Sequence, residues 1–128
     1  LLLQPTTPFR TKSAVQEGID LFQKSAGKTV LGVSKTHDHP MWTFKKDGKY
    51  LSHYFDGRGL EVRSQCLPET FVVNGSFYLI SPHLLRKHRS FFGPNTLPLI
   101  IGSSQEALDI DTEWDFKIAE VIASELQK

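Results

Sequence analysis

Two carboxylates, Asp109 and Asp111, are separated by a single residue, and this spacing suits the binding of a metal ion. In an extended segment both side chains lie on one face, where they repel each other and favour a hard cation such as Mg²⁺ shared with substrate phosphates. The same stretch also suits the start of a helix, with Asp111 or Thr112 as the cap and with Glu113 and Asp115 in the first turn. The spacing leaves both interpretations open, and both can hold at once.

A second polar segment, residues 4–10, follows an apolar run at residues 1–3 and contains prolines at positions 5 and 8. Prolines resist regular structure, so this segment is predicted to be a rigid loop at the end of a buried strand. Ligands of open α/β sheets bind beyond the carboxyl ends of the strands. Gln4 offers two donors and an acceptor, and Arg10 offers a fixed cationic fork, so both are candidates for ligand binding. A polar turn with a purely structural role is the alternative.

Two more pairs of residues are candidates for a binding site. Asn74 and Gly75 lie between two β-rich runs, where Asn-Gly usually marks a hairpin turn. A binding role would require the amide of Asn74 to face a ligand.

Phe91 and Phe92 follow a predicted helix, where adjacent aromatics are usually core residues. The alternative is a wall against methyl or acyl groups of a ligand.

The elements that must position these residues predict an α/β fold. A strand at residues 1–3, a helix and a strand at 29–33 form a predicted βαβ unit with a right-handed crossover. The helix is expected to begin after Thr11 or Ser13 and to end at Gly27. Further strands are predicted at 71–73, 77–80 and 97–101, and Ser81 with Pro82 is predicted to open another helix. The last predicted helix, 112–126, has an expected buried stripe of Ile118, Val121, Ile122 and Leu126.

Residues 36–71 differ from the rest of the chain, because they are rich in aromatic and polar residues and show no helical period. Asp47-Gly48 is a hairpin-turn signal, and it predicts an antiparallel pair formed by 41–44 and 50–54. Such a ribbon is marginal in water by itself. We therefore expect it to associate with a second copy of the chain, although folding back onto its own domain is the alternative. The aromatic residues of the expected surface are Trp42, Phe44, Tyr50, Tyr54 and Phe55.

Composition narrows the class of protein. A chain of 128 residues can form one domain with a hydrophobic core, and a net charge of +1 gives no broad electrostatic case for nucleic acid or an anionic membrane as a partner. No apolar run approaches the length of a membrane span. The single cysteine, Cys66, excludes an internal disulfide and is expected to be at least half-buried. Together these features predict a cytoplasmic protein.

Taken in order, the segments resemble motifs of the acylneuraminate cytidylyltransferases, which activate sialic acids and other nonulosonic acids. The family's Gln-Pro-Thr-Ser-Pro-Leu-Arg loop is seen here at residues 4–10, and its Asn-Gly-Ala-x-Tyr segment at 74–78. Its aromatic pair corresponds to Phe91 and Phe92, and its Asp-Ile-Asp-Thr-Glu-x-Asp motif matches residues 109–115. Each motif alone is weak, but four in register over nearly the whole chain are strong.

The resemblance implies a fold and a reaction. Residues 1–128 would be one partial nucleotidyltransferase domain with a Rossmann-like sheet, and 36–71 an inserted dimerisation arm. The anomeric hydroxyl of a nine-carbon 2-keto acid sugar would attack the α-phosphate of CTP, giving the CMP-sugar and pyrophosphate. The sugar stays open among sialic, legionaminic and other nonulosonic acids.

The resemblance also implies roles for single residues. Asp109 and Asp111 would be catalytic and would hold Mg²⁺. Arg63, which remains from an Arg-Arg-Gln-x-Leu-Pro segment of the family, is the candidate partner of the sugar carboxylate. The other residues expected to bind substrate are Gln4, Arg10, Asn74, Tyr78, Phe91 and Phe92.

The family's Gly- and Lys-containing loop, which cradles the phosphates of CTP, has no counterpart in these 128 residues. Backbone donors and a Lys of this kind supply much of the binding of phosphate groups. We therefore expect an incomplete part of the enzyme, with negligible CTP turnover alone. A non-catalytic fragment that keeps the dimer arm and the sugar pocket is the competing hypothesis.

Overall fold

The computed structural model describes residues 1–26, 28–55, 59–93 and 95–127. They form two compact units: Leu1–Ser34 with Val73–Lys128, here called the sheet unit, and Lys35–Val72, here called the ribbon unit. The architecture is mixed α/β, as the sequence predicted. The elements in chain order are α1 (Lys12–Lys24), β1 (Thr29–Lys35), β2 (Phe44–Asp47), β3 (Tyr50–His53), β4 (Phe71–Ile80), α2 (Pro82–His88), β5 (Thr96–Ile100) and α3 (Glu113–Leu126).

The main sheet has three strands in the order β4-β1-β5. β1 and β5 are parallel, with Val30 opposite Leu97. On the other side of β1, Ser34 contacts Asn74 while Gly32 faces Ser76, so β1 and β4 run in opposite directions and the sheet is mixed. β1 is buried from its first residue to its fifth, which is typical of a central strand that is covered on both faces.

Helix α1 packs on the core through a glycine. Thr11 caps the helix by accepting a hydrogen bond from the Ala14 amide, and this confirms one of the two predicted caps. Gly18 is buried against the ring of Phe77, and a Cβ at Gly18 would lie 2.7 Å from both Cε atoms of that ring. The predicted stop at Gly27 lies outside the described residues. The buried core cluster consists of Val30, Phe77, Leu99 and Ile101, and partly buried residues such as Val15, Ile19 and Phe22 of α1 pack against it.

Residues 1–3 were predicted to be a buried strand, and this prediction was wrong. Leu2 makes one isolated antiparallel bridge to Tyr78, and Leu1 and Leu2 are exposed while Leu3 packs against the core. The predicted βαβ unit is also altered, because β4 lies between this segment and β1. The inserted strand β4 comes from later in the chain, and no periodicity within residues 1–33 could show it.

The Asn74-Gly75 pair was also misread as a turn between two strands. β4 is continuous from Phe71 to Ile80 and contains both residues. Gly75 has a φ of +74°, so the left-handed residue lies inside a strand instead of reversing the chain. Glycine within a strand commonly marks such a local irregularity or a close approach by another segment.

The ribbon unit contains the predicted hairpin with a shifted first strand. β2 pairs antiparallel with β3, and Gly48 has a φ of +57° in the two-residue turn. β2 begins at Phe44 because Pro40–Trp42 forms a 3₁₀ turn, in which the His39 ring accepts a hydrogen bond from the Met41 amide. Every residue of the two strands is exposed except Ser52, which is half-buried. Cys66, expected inside, is exposed.

The last helix begins where predicted but does not bury the predicted stripe. Ala119 is the one buried residue of α3. Ile118 and Ile122 are half-buried, whereas Val121 and Leu126 are exposed. Helical periodicity shows which residues share a face, but the face that packs is chosen by the neighbouring elements. None of the described helices is long and apolar enough to cross a membrane.

We predict that Gly18→Ala destabilises the protein by about 1–2 kcal/mol. Overpacking of a core costs about 1–3 kcal/mol, while alanine in place of glycine favours a helix by roughly 1 kcal/mol. Here the cost of overpacking lies in the upper part of that range, about 2–3 kcal/mol, because the Phe77 ring is only 1% exposed and cannot swing away. Urea unfolding of both proteins measures the difference. Gly102→Ala is the matched control, because a Cβ there meets nothing within 4 Å. A Gly18→Ala protein as stable as the wild type would contradict the packing described.

Candidate functional site

Three polar side chains converge on the backbone of Gly75. A Cβ built on this buried glycine would lie 2.5 Å from Gln4 Oε1, 2.7 Å from Asp109 Oδ2 and 3.0 Å from Thr7 Oγ1. The positive φ of Gly75 is one that other residues rarely adopt. We call Gln4, Thr7, Tyr78 and Asp109, gathered around Gly75, the Gly75 cluster. A side chain at position 75 would fill the space where these oxygen atoms meet.

Two oxygen atoms of the Gly75 cluster are buried and have no hydrogen-bond partner among the residues that the structure describes: Thr7 Oγ1 and Asp109 Oδ1. Thr7 is completely buried. Buried polar atoms are almost always paired, and an unmade hydrogen bond costs about 1–3 kcal/mol. A bound group that contacts these two atoms would recover that free energy, which makes this place a candidate for a polar binding site.

The Tyr78 side chain closes one side of the cluster. Its hydroxyl donates to Gln4 Oε1 at 3.5 Å, and its ring meets the ring of Phe91 edge-on, with centroids 5.5 Å apart. Burial and the negative charge of Asp109 raise the pKa of Tyr78 above its ordinary value. Tyr78 is therefore a neutral hydrogen-bond donor at physiological pH. Phe92, by contrast, is 70% exposed.

Arg10 anchors the loop that carries Gln4 and Thr7. Its Nε donates to the carbonyl of Ser76 at 2.5 Å, and its Nη2 donates to the carbonyl of Gln4 at 2.7 Å. Both acceptors are backbone atoms, so the guanidinium is directed toward the protein. The loop is thereby fixed against β4, beside Gly75.

The Asn74 amide is also directed inward. Its Nδ2 donates to Ser34 Oγ at 2.8 Å, and its Oδ1 accepts from the amide and the hydroxyl of Ser76 at 3.2 and 2.6 Å. Asn74 is buried at 6% exposure. The side chain ties β4 to β1, and its described hydrogen bonds are all internal.

The segment with the two carboxylates rests on the Gln4 loop, because the Ile110 amide donates to the Thr6 carbonyl at 2.9 Å. Asp109 is half-buried in the cluster, whereas Asp111 is exposed. Thr112, not Asp111, caps α3. Thr112 Oγ1 accepts from the Asp115 amide at 3.2 Å, and Asp115 Oδ2 accepts from the Thr112 amide at 2.8 Å.

The Thr112 hydroxyl also donates to Asp115 Oδ2 at 2.7 Å, and this bond, together with the one from the Thr112 amide, holds the pKa of the Asp115 carboxyl below its usual value. The capping function is thus fulfilled by Thr112 and Asp115. Neither Asp109 nor Asp111 is needed as a cap, and both carboxylates can serve a ligand.

Two further observations bear on the predicted site. Arg63 lies in the ribbon unit with an exposed side chain, and its carbonyl accepts a hydrogen bond from the Cys66 amide. Its predicted meeting with the sugar carboxylate stays a prediction. Within the residues that the structure describes, no group of three or more His, Cys, Asp or Glu is arranged to hold a metal ion. A cation at Asp109 and Asp111 would need further oxygens from a ligand or from water.

Sequence reasoning missed Thr7 and Gly75 as parts of the site. Thr7 lies between two prolines of the predicted loop, but nothing local shows that its hydroxyl is buried beside Asp109. Gly75 was noticed for its turn propensity, and its proximity to Gln4 and Asp109 depends on contacts between residues about 70 and 34 positions apart.

Comparison with curated proteins found distant relatives along nearly the whole chain. The chain is 31% identical over 122 residues to CMP-N,N'-diacetyllegionaminic acid synthase of Legionella pneumophila, covering 94% of the chain and 51% of that protein. It is 26% identical over 125 residues to the post-translational flagellin modification protein B of Campylobacter coli, covering 96% and 52%. It is 26% identical over 119 residues to N-acylneuraminate cytidylyltransferase of Escherichia coli, covering 92% and 28%.

The chain thus spans about half the length of the first two relatives and less of the third. No family model matches it. The matched regions include the Gly75 segment and the paired carboxylates, since at least 92% of the chain is aligned in each case.

We predict that Asp109→Asn lowers the pKa of Tyr78 toward its ordinary value, because the negative charge of Asp109 is one cause of the increase. A raised pKa means that the folded state holds the phenolic proton more tightly. Stability from this group is therefore present below the ordinary tyrosine pKa and is lost as the pH rises through the folded-state pKa. In the variant the loss should begin at the same pH but end at a lower pH and be smaller, because only the folded-state pKa is lowered.

The Tyr78 ring-carbon NMR signal, followed through an alkaline titration in the presence of a chelator, measures this pKa directly. Asp111→Asn removes the same charge from an exposed neighbour and should leave the Tyr78 pKa unchanged. Equal effects of the two substitutions would show that Asp109 does not lie against Tyr78 as described.

Proposed function

Because this chain is a relative of the acylneuraminate cytidylyltransferases along nearly its whole length, we propose that the native protein is a nucleotidyltransferase that joins CMP to a nonulosonic acid. The single observation that carries the proposal is the Gly75 cluster. Next to Gln4 and Tyr78 in this cluster, Thr7 and Asp109 each have a buried oxygen without a hydrogen-bond partner among the described residues. A polyhydroxylated acid sugar is a ligand of the right chemistry, because its hydroxyls can donate to the Asp109 carboxylate and accept from the Thr7 hydroxyl.

In the proposed reaction the anomeric hydroxyl of a nine-carbon 2-keto acid sugar attacks the α-phosphorus of CTP. A new oxygen–phosphorus bond forms, the bond to pyrophosphate breaks, and the attacking hydroxyl loses its proton. Gln4 and Tyr78 would orient the sugar, and Phe91 would provide an apolar wall beside Tyr78. Asn74 would support the site from within β4, since its amide is engaged with Ser34 and Ser76.

The donor set at Asp109 and Asp111 fits Mg²⁺. Asp109 Oδ1 is buried and unpartnered, and the exposed Asp111 follows two residues later in a segment held on the Gln4 loop. Mg²⁺ in nucleotide sites is commonly bound by one or two carboxylates together with substrate phosphates and water. When bound, it neutralises charge that develops on the phosphates. The two carboxylates would also place that charge next to the sugar held by Gln4.

The fold is consistent with this proposal. The parallel pair β1–β5, with α1 packed against it, would be part of a Rossmann-like nucleotidyltransferase sheet. The ribbon unit would be a dimerisation arm, because its two strands expose several large apolar side chains and have no buried residue. Legionaminic and sialic acids are the two sugar classes to test first, in keeping with the names of the relatives.

The proposal predicts CTP-dependent formation of a CMP-sugar by the native protein. We expect Asp111→Ala to lower kcat by at least about 100-fold, the scale of lost transition-state charge stabilisation. Its effect on stability should be within about 0.5 kcal/mol, since Asp111 is an exposed residue. Pyrophosphate release and nucleotide-sugar chromatography measure the first effect, and thermal unfolding measures the second. The matched control is Glu120→Ala, an exposed acidic residue on α3.

Undiminished turnover of Asp111→Ala at ordinary Mg²⁺ concentrations would show that the metal assignment is wrong. Sugar binding by the wild type without any turnover would instead favour a non-catalytic sugar-binding protein.

The proposal also predicts a homodimer that forms through the ribbon unit. Tyr50 and Leu51 are 68% and 70% exposed at the tip of the hairpin, and exposed apolar groups of this kind usually mark a partner surface. We expect Tyr50→Ser with Leu51→Ser to weaken the dimer at least tenfold, as measured by sedimentation equilibrium. Val121→Ser, which removes a side chain 63% exposed on α3, should leave the mass unchanged. A wild-type monomer at micromolar concentration would refute the dimer.

A further inference from the structure

Arg10 joins two parts of the chain that carry the site. Its guanidinium bridges the carbonyl of Gln4, six residues earlier, and the carbonyl of Ser76, 66 residues later. A guanidinium is planar and its donors are fixed relative to one another. Two such bonds therefore set the position of the Gln4 backbone relative to β4, and not merely its distance.

The consequence reaches the Gln4 side chain. Ser76 directly follows Gly75, whose missing Cβ leaves the space that Gln4 Oε1 approaches. Gln4 Oε1 also accepts the hydrogen bond from Tyr78. Because the Gln4 carbonyl is held next to β4, the side-chain amide of Gln4 lies within reach of both Gly75 and the Tyr78 hydroxyl. Arg10 thus holds the backbone from which the Gln4 side chain extends.

Arg10 forms no ion pair with an acidic residue in the described part of the chain. The ion pairs found in the described part of the chain are Lys35 with Glu69 and His37 with Asp38. An arginine used mainly to recognise an anion would present its fork to that anion. The described bonds of Arg10 instead go to backbone carbonyls.

We propose that Arg10 is a positioning residue that acts on the ligand through Gln4, not a residue that contacts the substrate itself. The kinetic consequence of this role rests on the function proposed above. Loss of Arg10 should weaken binding of the acid sugar that Gln4 orients, whereas the affinity for CTP should hardly change. Its structural consequence, a loosened loop at residues 4–10, is independent of any activity.

A double-mutant cycle tests the action through Gln4. In the native protein, Gln4→Ala and Arg10→Ala should each raise the KM for the sugar about tenfold, with the KM for CTP within about twofold of wild type. Since both changes remove the same interaction, the double variant should exceed Gln4→Ala by no more than about twofold. An additive result, roughly 100-fold for the double variant, would show that Arg10 contacts the sugar directly and would overturn the proposal.

Arg10→Lys keeps the positive charge but cannot bridge two carbonyls with fixed geometry. The KM of Arg10→Lys for the sugar should therefore lie between that of the wild type and that of Arg10→Ala. Full recovery by lysine would show that charge alone matters and would contradict a positioning role. Arg86→Ala, an exposed arginine on α2, is the matched control and should behave as wild type.

Hydrogen exchange tests the structural consequence without an assay. The Thr7 amide donates to the Gln4 carbonyl, and the Ile110 amide donates to the Thr6 carbonyl. Arg10→Ala should accelerate exchange of both amides at least tenfold relative to amides of β1, whereas Gln4→Ala should leave them within about twofold. Unchanged protection in Arg10→Ala would overturn the proposal.

The two failures can be told apart. A wild-type protein that shows no CTP-dependent activity with any nonulosonic acid would refute the proposed function, and hydrogen exchange would still decide the role of Arg10. If Arg10→Ala does not fold, Arg10→Lys takes its place in the exchange experiment, with the same two amides expected to exchange faster.

Discussion

The left-handed backbone of Gly75 is the constraint on which the sheet unit depends. Four consecutive residues of β4, from Asn74 to Phe77, are buried, and each serves a different neighbour. Asn74 ties β4 to β1, the Ser76 carbonyl receives Arg10, and Phe77 packs on Gly18. Gly75 itself leaves room for Gln4, Thr7 and Asp109. A residue with a side chain here would face both an unfavourable φ and the oxygens of the cluster.

Burial and charge give this place its chemical character. Asp109 lies beside a phenol whose pKa it helps to raise, so the cluster combines a carboxylate with a neutral hydroxyl donor. Within the described part of the chain, one buried oxygen of this carboxylate, Oδ1, has no hydrogen-bond partner. Native interiors rarely leave such atoms unpaired, and places where they do are often functional. The Arg10 cation stands close by but gives its described hydrogen bonds to the backbone, which makes the loop rigid without closing the site.

The ribbon unit differs from the sheet unit, because its two strands have no buried residue. Its hairpin is local in sequence, with Asp47 opposite Tyr50 across a two-residue turn, and it forms without a buried core of its own. A two-stranded ribbon of this kind is weakly stable by itself. Its exposed aromatic and aliphatic side chains therefore make sense as a surface for a second copy, which is the role proposed for them.

Much of the architecture follows from local chemistry in the sequence. Thr11, Ser81 and Thr112 cap the three helices because their hydroxyls accept from amides of the first turn, and such caps need only a few neighbouring residues. The Asp47-Gly48 turn also needs only neighbouring residues. The strands β1 and β5 can each be recognised from their own apolar residues, although their pairing joins distant parts of the chain. The likeness of the Gln4 loop and the paired carboxylates to known motifs likewise lies in the sequence itself, and it pointed to the relatives that were found.

Only the tertiary structure decided what depends on distant contacts. Asn-Gly is compatible with a turn, but pairing with β1 keeps Asn74 and Gly75 inside a continuous strand, and Leu2 bridges that strand at Tyr78. Helical periodicity could not choose the face of α3 that packs, and Val121 and Leu126 are exposed as a result. The folded chain brings Thr7 next to Asp109, 102 positions away, and it turns Arg10 toward Ser76, 66 positions away. A sequence pattern reports neighbours along the chain, whereas burial and hydrogen-bond partners depend on neighbours in space.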